Sequence, residues 1–325
     1  MIRICGDLHL RKEEPFFSAA KSVLEVFKHD CNRGDTLIFA GDFFHTSRPF
    51  PEELKVAREF FHEMNLHGVR VIILAGNHEY LHTRGTYVED MFVDSDITFI
   101  SDPTLMKIDD EDILFLPWIS SYDLNKKYGK TELKDFYEEY LTNLEVPSAL
   151  NVIYHFEDES CFMGPTEVGV DLSILESKCH LRRIGGHIHI ADKNYIGVPY
   201  ATRKDETGQN YKYIAIGFGS TIEEIHFPEY ISFQTISYEE LKQTRFRSST
   251  SYILEVVDAP SSDVVYDFIH SRPNLYLSDY TLRANQEREV FEDNSALETI
   301  KDYMRAYVKI NRVDEKTTDY LLSLV

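Results

Sequence analysis

The chain has 325 residues, 43% of them apolar and 27% charged, with 15 glycines and 11 prolines. This composition excludes collagen-like, low-complexity and wholly disordered chains and suggests about two domains. Lysine and arginine number 34 against 55 aspartates and glutamates, a net charge of −21, which excludes a free-standing basic clamp that neutralises nucleic-acid phosphates by itself.

The first two hundred residues alternate short apolar strands with amphipathic helices. Strands are expected at Ile2–Cys5, Thr36–Ala40 and Val69–Ala75, each running into a glycine-containing turn, and helices at Phe16–Cys31 and Pro51–His67. Pro51 followed by two glutamates suits a helix N-terminus. Further strands are expected at Ile97–Ile100, Ile113–Leu116 and Asn151–Tyr154, with a solvated loop over Ser121–Lys134 leading into a helix over Thr131–Leu144. This order implies a layered α/β core. Beyond Lys193 the texture becomes β-rich, with strands at Tyr211–Phe218, Glu223–Phe227, Ile231–Ile236 and Tyr252–Val257. A terminal helix is expected after a Ser295/Glu298 capping box, with Leu297, Ile300, Met304 and Val308 as its apolar stripe.

Cys5, Cys31, Cys161 and Cys179 lack any C-x-x-C spacing, as expected of reduced thiols in a cytosol. No apolar run reaches the ~18 residues of a membrane span. A signal peptide is not expected either, because a chemical motif begins at Gly6. The expected location is the cytoplasm, away from membranes.

Five segments place metal-type ligands behind strands or strand-like stretches: Gly6-Asp7-Leu8-His9, Gly41-Asp42-Phe43-Phe44-His45, Gly76-Asn77-His78-Glu79, Tyr154-His155 and Gly186-His187-Ile188-His189. Ligands of α/β proteins gather at the carboxyl ends of strands, so the five can converge. Residues i and i+2 of an extended segment point to one side, which pairs Asp7 with His9 and His187 with His189. Carboxylate, imidazole and amide oxygen together suit borderline divalent metals, and the absence of thiolates disfavours a structural zinc site. Asp7, His9, Asp42, Asn77, His155, His187 and His189 are too many ligands for one ion. They suit two ions sharing a carboxylate, a device for phosphoester cleavage. His78 is left to assist the developing charge or the leaving oxygen.

The ordered set D-x-H, G-D, G-N-H, a lone His and G-H-x-H resembles the calcineurin-like metallophosphoesterase superfamily over roughly residues 1–200. The stretch from Gly41 to Pro49, Gly-Asp-Phe-Phe-His-Thr-Ser-Arg-Pro, resembles the second motif of the double-strand-break-repair nucleases. That family comprises the SbcD-type exonuclease subunit and its phage-encoded and meiotic-recombination relatives. Glu79 departs from the aspartate usual there and is expected to orient His78.

The resemblance implies an α/β/β/α sandwich, residues 1–200 as nuclease domain, a smaller β-rich capping domain over 201–290, and a C-terminal helical segment over 291–325. It implies one ion held by Asp7, His9, Asp42 and His189, with Asp42 bridging to a second held by Asn77, His155 and His187. His78 would assist the leaving group and His45 would sit near the scissile phosphate. The implied function is a metal-dependent DNA exonuclease/endonuclease subunit, with Mn²⁺ as the metal, DNA and an SbcC-type ABC ATPase as partners, and a homodimeric assembly. The terminal helix would dock on that ATPase. Two alternatives remain: a phosphodiesterase or phosphatase of the superfamily acting on small nucleotides or phosphoproteins, and a non-catalytic interaction scaffold. Arg182-Arg183, the Lys242–Arg247 cluster and the stripe Lys301, Arg305, Lys309 and Arg312 are either nucleic-acid contacts or solvated faces.

Overall fold

A computed structural model describes residues 1–81, 85–86, 97–159 and 169–282. In chain order its strands are β1 (Ile2–Cys5), β2 (Thr36–Phe39), β3 (Arg70–Leu74), β4 (Tyr80–Leu81), β5 (Gly85–Thr86), β6 (Ile97–Ile100), β7 (Thr104–Ile108), β8 (Glu111–Leu116), β9 (Ala149–Tyr154), β10 (His180–Gly185), β11 (Lys212–Ile216), β12 (Ile222–His226), β13 (Ile231–Ser237), β14 (Ser251–Ala259) and β15 (Leu275–Leu282). The main helices are α1 (Phe16–Asp30), α2 (Pro51–Leu66), α3 (Leu133–Asn143), α4 (Ser173–Glu176), α5 (Tyr238–Gln243) and α6 (Ser262–His270).

Two sheets form the centre: a six-stranded sheet ordered β12-β11-β1-β2-β3-β6 and a four-stranded sheet ordered β10-β9-β8-β7. Strands β1, β2, β3 and β6 are parallel, as are β8, β9 and β10. Period-2 alternation assigns each face. Ile2, Ile4, Ile38, Ile72 and Leu74 of one sheet pack directly against Ile113, Phe115, Ile153 and Ile184 of the other. The opposite faces are covered by helices. Leu37, Phe39, Val71 and Ile73 lie under Val23, Phe27, Phe60 and Met64 of α1 and α2. On the far side, Leu114, Leu116, Val152 and Tyr154 lie under Phe136, Tyr137 and Leu141 of α3. The result is the expected four-layer α/β/β/α sandwich, and burial on both faces explains why its central strands are nearly unbroken apolar runs.

The expected strands and helices form, to within two residues at each end, wherever they fall on described residues. Three features of the fold go beyond the alternation pattern. Ser121–Asp123 and Leu124–Tyr128 wind into short helical turns where the polar composition suggests a loop. Ser120 caps them, its hydroxyl accepting from the Asp123 amide at 3.2 Å. Strand β10 carries His180, Arg182 and Arg183 because it is an edge strand, so its composition is polar. The 201–290 stretch is divided between two sheets. Within it β11 and β12 extend the first sheet, with β11 antiparallel to β1, whereas the three-stranded sheet β13-β14-β15 starts at Ile231. That sheet has its own core of Leu241, Leu254, Val256, Val265 and Ile269 with α5 and α6. Its Ile231 and Ile253 join the core under α1. The chain divides into units at Thr281/Leu282. The terminal helix over 295–308, its basic stripe and Cys161 lie outside the described residues. Among those described, no helix is long and apolar enough to cross a membrane.

The contact between the two sheets is the layer on which the strand ends depend. Phe115→Ala removes a fully buried ring from it and is expected to cost about 3–5 kcal/mol, read as a lowered urea midpoint with an unchanged slope.

Candidate metal centre

All five motifs lie at the carboxyl ends of parallel strands, three behind β1, β2 and β3 and two behind β9 and β10. Stacking the sheets brings those ends together. Beyond their last ladder residues β1 and β2 stay tied, with Ala40 N–H donating to the Cys5 carbonyl at 2.8 Å, His9 N–H to the Asp42 carbonyl at 2.9 Å and Leu10 N–H to the Phe43 carbonyl at 2.8 Å. Three ligands stand in left-handed backbone, His9 (φ 48°), Asp42 (φ 47°) and His187 (φ 74°). Such non-glycine conformations cost about 1–3 kcal/mol each and persist where the surroundings over-determine them. The motif glycines answer the same crowding. A Cβ at Gly41, itself at φ +100°, would overlap the His155 imidazole, and one at Gly76 would overlap the Asp42 carboxylate.

The seven expected ligands are neighbours. Asp7, His9 and His189 offer donor atoms within 4.8 Å of one another, as do Asp7, Asp42 and His155. The two Asp42 oxygens face different partners: Oδ1 lies 3.3 Å from His155 Nε2, and Oδ2 lies 3.7 Å from His9 Nε2. Asp42 therefore faces the groups of both sheets. Asn77 Oδ1 sits 3.2 Å from His155 Nε2 and 3.1 Å from His187 Nδ1, so three donors from behind three strands converge. His9 Nε2 and His189 Nε2 point at each other across 3.0 Å. The fit to cations is tested by Asp7 Oδ2, which is buried and has no hydrogen-bond partner among the described residues. An orphaned carboxylate oxygen is costly unless a cation meets it, and the surrounding nitrogens and oxygens match what a borderline divalent ion takes. The residues fit divalent metal binding.

Groups behind the ligands fix which atom faces inward. His155 Nδ1–H donates to the Ala40 carbonyl at 2.7 Å, and His189 Nδ1–H donates to Glu206 Oε1 at 2.6 Å. Each leaves Nε2 free toward the centre, the arrangement by which carboxylates and carbonyls orient metal-binding imidazoles. Glu206 is fully buried and also accepts from the Thr202 amide at 2.7 Å and the Thr202 hydroxyl at 2.8 Å. It sits in a short turn after Arg203 and carries no motif signature, so the sequence pattern does not point to it. Glu79 serves differently from expectation. Its carboxylate accepts from the backbone amides of Asp42, Phe44 and Gly76 at 3.0, 3.2 and 2.8 Å. It ties the second and third motif loops together, while the His78 ring is oriented by the His45 carbonyl.

His78 is about a third exposed, with Nε2 3.8 Å from Asp42 Oδ2. The His45 ring stacks on it at 5.5 Å and 28°. Both line a cleft of about 670 Å³. Arg182 instead donates to Asn151 and the Ser220 carbonyl, and Arg183 pairs with Asp158 and Glu176. These two arginines therefore bind the fold together. In the other basic cluster, Lys242 pairs with Glu239 and Phe246 packs on Tyr252.

Electrostatics follow from burial. Desolvation pushes Asp7 up, partly opposed by His155 and His189. Desolvation also works against ionised Asp42, but His155, His9 and His78 outweigh it and hold Asp42 far below the usual carboxylate range. Burial disfavours the charged form of His155, yet Asp42 and Asp7 raise it to about 9. Burial lowers His187 to about 3, helped by His155.

Two outcomes follow. An imidazole must lose its proton to bind a metal, and the His155 proton is held up to about pH 9 in the metal-free protein. Mn²⁺ affinity is therefore expected to rise about tenfold per pH unit between about pH 6.5 and 8.5 for each proton displaced, with proton release visible calorimetrically in buffers of different ionisation enthalpy. Glu206→Gln is expected to weaken Mn²⁺ binding about 10–100-fold, measured by the same titration at fixed pH.

Solved structures similar to the chain at low identity include the following three. A protein of unknown function from Aquifex aeolicus is 16% identical, with a TM-score of 0.30 over 56% of this chain and 87% of its own. A 5′-nucleotidase precursor from Thermus thermophilus is 14% identical, with a TM-score of 0.33 over 70% of this chain and 48% of its own. A cold-active protein-tyrosine phosphatase from a psychrophilic Shewanella species is 15% identical, with a TM-score of 0.33 over 69% of this chain and 79% of its own. No curated protein sequence matches the chain. The calcineurin-like phosphoesterase family matches residues 1–191, a span that holds all five motifs and every candidate ligand, and the chain belongs to that family.

Proposed function

We propose that the chain is a Mn²⁺-dependent DNA exonuclease/endonuclease subunit of the SbcD type, acting as a homodimer with an SbcC-type ATPase. The observation that supports this most is the position of His45. The Gly41–Pro49 segment delivers its ring onto His78, on the cleft side of the ligand cluster. Two divalent ions held by Asp7, His9, Asp42, Asn77, His155, His187 and His189 would supply charge neutralisation on the phosphate and activation of water.

The chain's own groups do the rest. His78 Nδ1–H is committed to the His45 carbonyl, so Nε2, the atom that faces the centre, is where the ring would accept a proton, or, as the doubly protonated imidazolium, give one to a leaving oxygen. Burial and the nearby Arg11 hold His45 down to about 4. At neutral pH it is an uncharged hydrogen-bonding ring. Arg11 Nη1 lies 3.4 Å from His45 Nε2 and its Nη2 donates to the Thr202 carbonyl at 3.4 Å, which places its positive charge beside His45. The −21 net charge fits a subunit whose DNA affinity comes largely from its ions and its partner.

A second reading, a phosphodiesterase for small nucleotides, is favoured by one observation. The described lining of the cleft holds no lysine or arginine. The complete ligand set argues against a non-catalytic scaffold.

The test is cleavage of end-labelled linear duplex and single-stranded DNA with Mn²⁺ or Mg²⁺. Mn²⁺-dependent cleavage is expected, abolished by chelation and reduced about 10²–10⁴-fold in His78→Ala. Hydrolysis of small phosphodiesters with no DNA cleavage, even with the ATPase partner added, would select the second reading.

A further inference from the structure

Trp118 is the only tryptophan of the chain, and it stands at the metal centre. It follows β8 in the run Leu116-Pro117-Trp118-Ile119, whose other three members are buried. Its backbone is bracketed on both sides. Trp118 N–H donates to the Ala75 carbonyl at 2.9 Å, which ties it to the end of β3, and the Pro117 carbonyl accepts from the Tyr137 hydroxyl at 2.5 Å. The half-buried indole stacks on the His187 imidazole, with ring centroids 5.7 Å apart and planes 28° from parallel. It also lines the cleft that holds Asn77, His78 and His45, where its companions include the hydroxyls of Ser120 and Ser121.

A flat apolar ring, fixed on a rigid support and opening on a cleft of about 670 Å³, is suited to a second flat ring. The cleft's other described groups include hydroxyls, an amide and imidazoles, neutral partners that can meet the polar edge of a heterocycle. We infer that Trp118 is a stacking platform for a nucleobase whose attached phosphate lies at the metal ligands. The inference rests on the phosphoesterase site and deepens the proposed function by naming the substrate class. Substrates are esters of nucleoside phosphates, in a polymer or free, and simple alkyl or sugar phosphates bind less well. Because stacking is tolerant of base identity, the platform discriminates for a base without choosing among sequences.

The test uses the full chain loaded with Mn²⁺ and two probes, thymidine monophosphate and deoxyribose phosphate, which differ only in the base. Calorimetric Kd values are measured for the unaltered chain, Trp118→Phe and Trp118→Ala. The unaltered chain is expected to prefer the nucleotide by about tenfold or more. Trp118→Phe should keep most of that preference, and Trp118→Ala should reduce it to within about threefold of unity. Were Trp118 only a support for His187, truncation would weaken both probes alike and leave the ratio standing, which would overturn the inference. A ratio near one in the unaltered chain would do the same.

The fluorescence of the single tryptophan gives a reading that needs no variant. Saturable quenching by thymidine monophosphate, absent with deoxyribose phosphate, is expected, and equal responses would count against stacking. DNA cleavage is measured separately, so failure of the nuclease reading with the binding ratio intact would still leave the nucleotide platform in place.

Discussion

Two carboxylates, Asp7 and Asp42, sit at the ends of adjacent strands with almost no contact with water, and the surrounding structure is arranged to make that burial tolerable. Moving an ionised carboxylate out of water costs several kcal/mol even after relaxation. Compensation comes from imidazoles of four separate segments, from backbone amides such as that of His187, which donates to Asp7 Oδ1 at 2.8 Å, and from cations that the donor set is shaped to receive. Apolar packing alone would exclude such groups from the end of a sandwich core.

The isoleucine-rich layer between the sheets acts at one remove. It contributes no chemistry, but it fixes the distance between the ends of β1, β2 and β3 and those of β9 and β10. A ligand set drawn from both sheets is only as well placed as that layer is well packed. Glu79 and Glu206 perform the local part of the same task. Each is fully buried and spends its oxygens on backbone amides or a ligand's far nitrogen, so loops and rings are oriented before any ion arrives. The glycines at 41 and 76 belong to the same constraint, since they stand where backbone must pass within contact distance of a ligand.

On the cleft side the arrangement is looser and more exposed. His78 and His45 stack on one another there, Trp118 stands against His187, and Arg11 lies behind His45 with Phe16 beneath its guanidinium. Asp7, His9, Asp42 and His155 are buried, whereas Asn77, His187 and His189 are partly exposed and lead from that buried group to the cleft. This is the division expected of a centre that must be rigid where it holds ions and accessible where it meets a phosphate.

The amino-acid sequence by itself determined the strand–helix alternation of the sandwich and the seven candidate ligands that meet at the strand ends, because both are local. Period-2 and helical patterns report burial directly, and ligands that follow a strand end by one or two residues carry a short motif with a glycine beside it. Tertiary structure alone decided the rest. That β11 and β12 would complete the first sheet beside β1, with the separate sheet beginning only at Ile231, depended on long-range pairing that no local pattern encodes. So did the roles of Glu206 and Trp118, which reach the centre from segments with no metal motif. Glu79 shows the same limit from within a motif: its place beside His78 in the sequence suggested that it would orient that ring, while the crowding of three backbone amides around a buried carboxylate gave it a different partner.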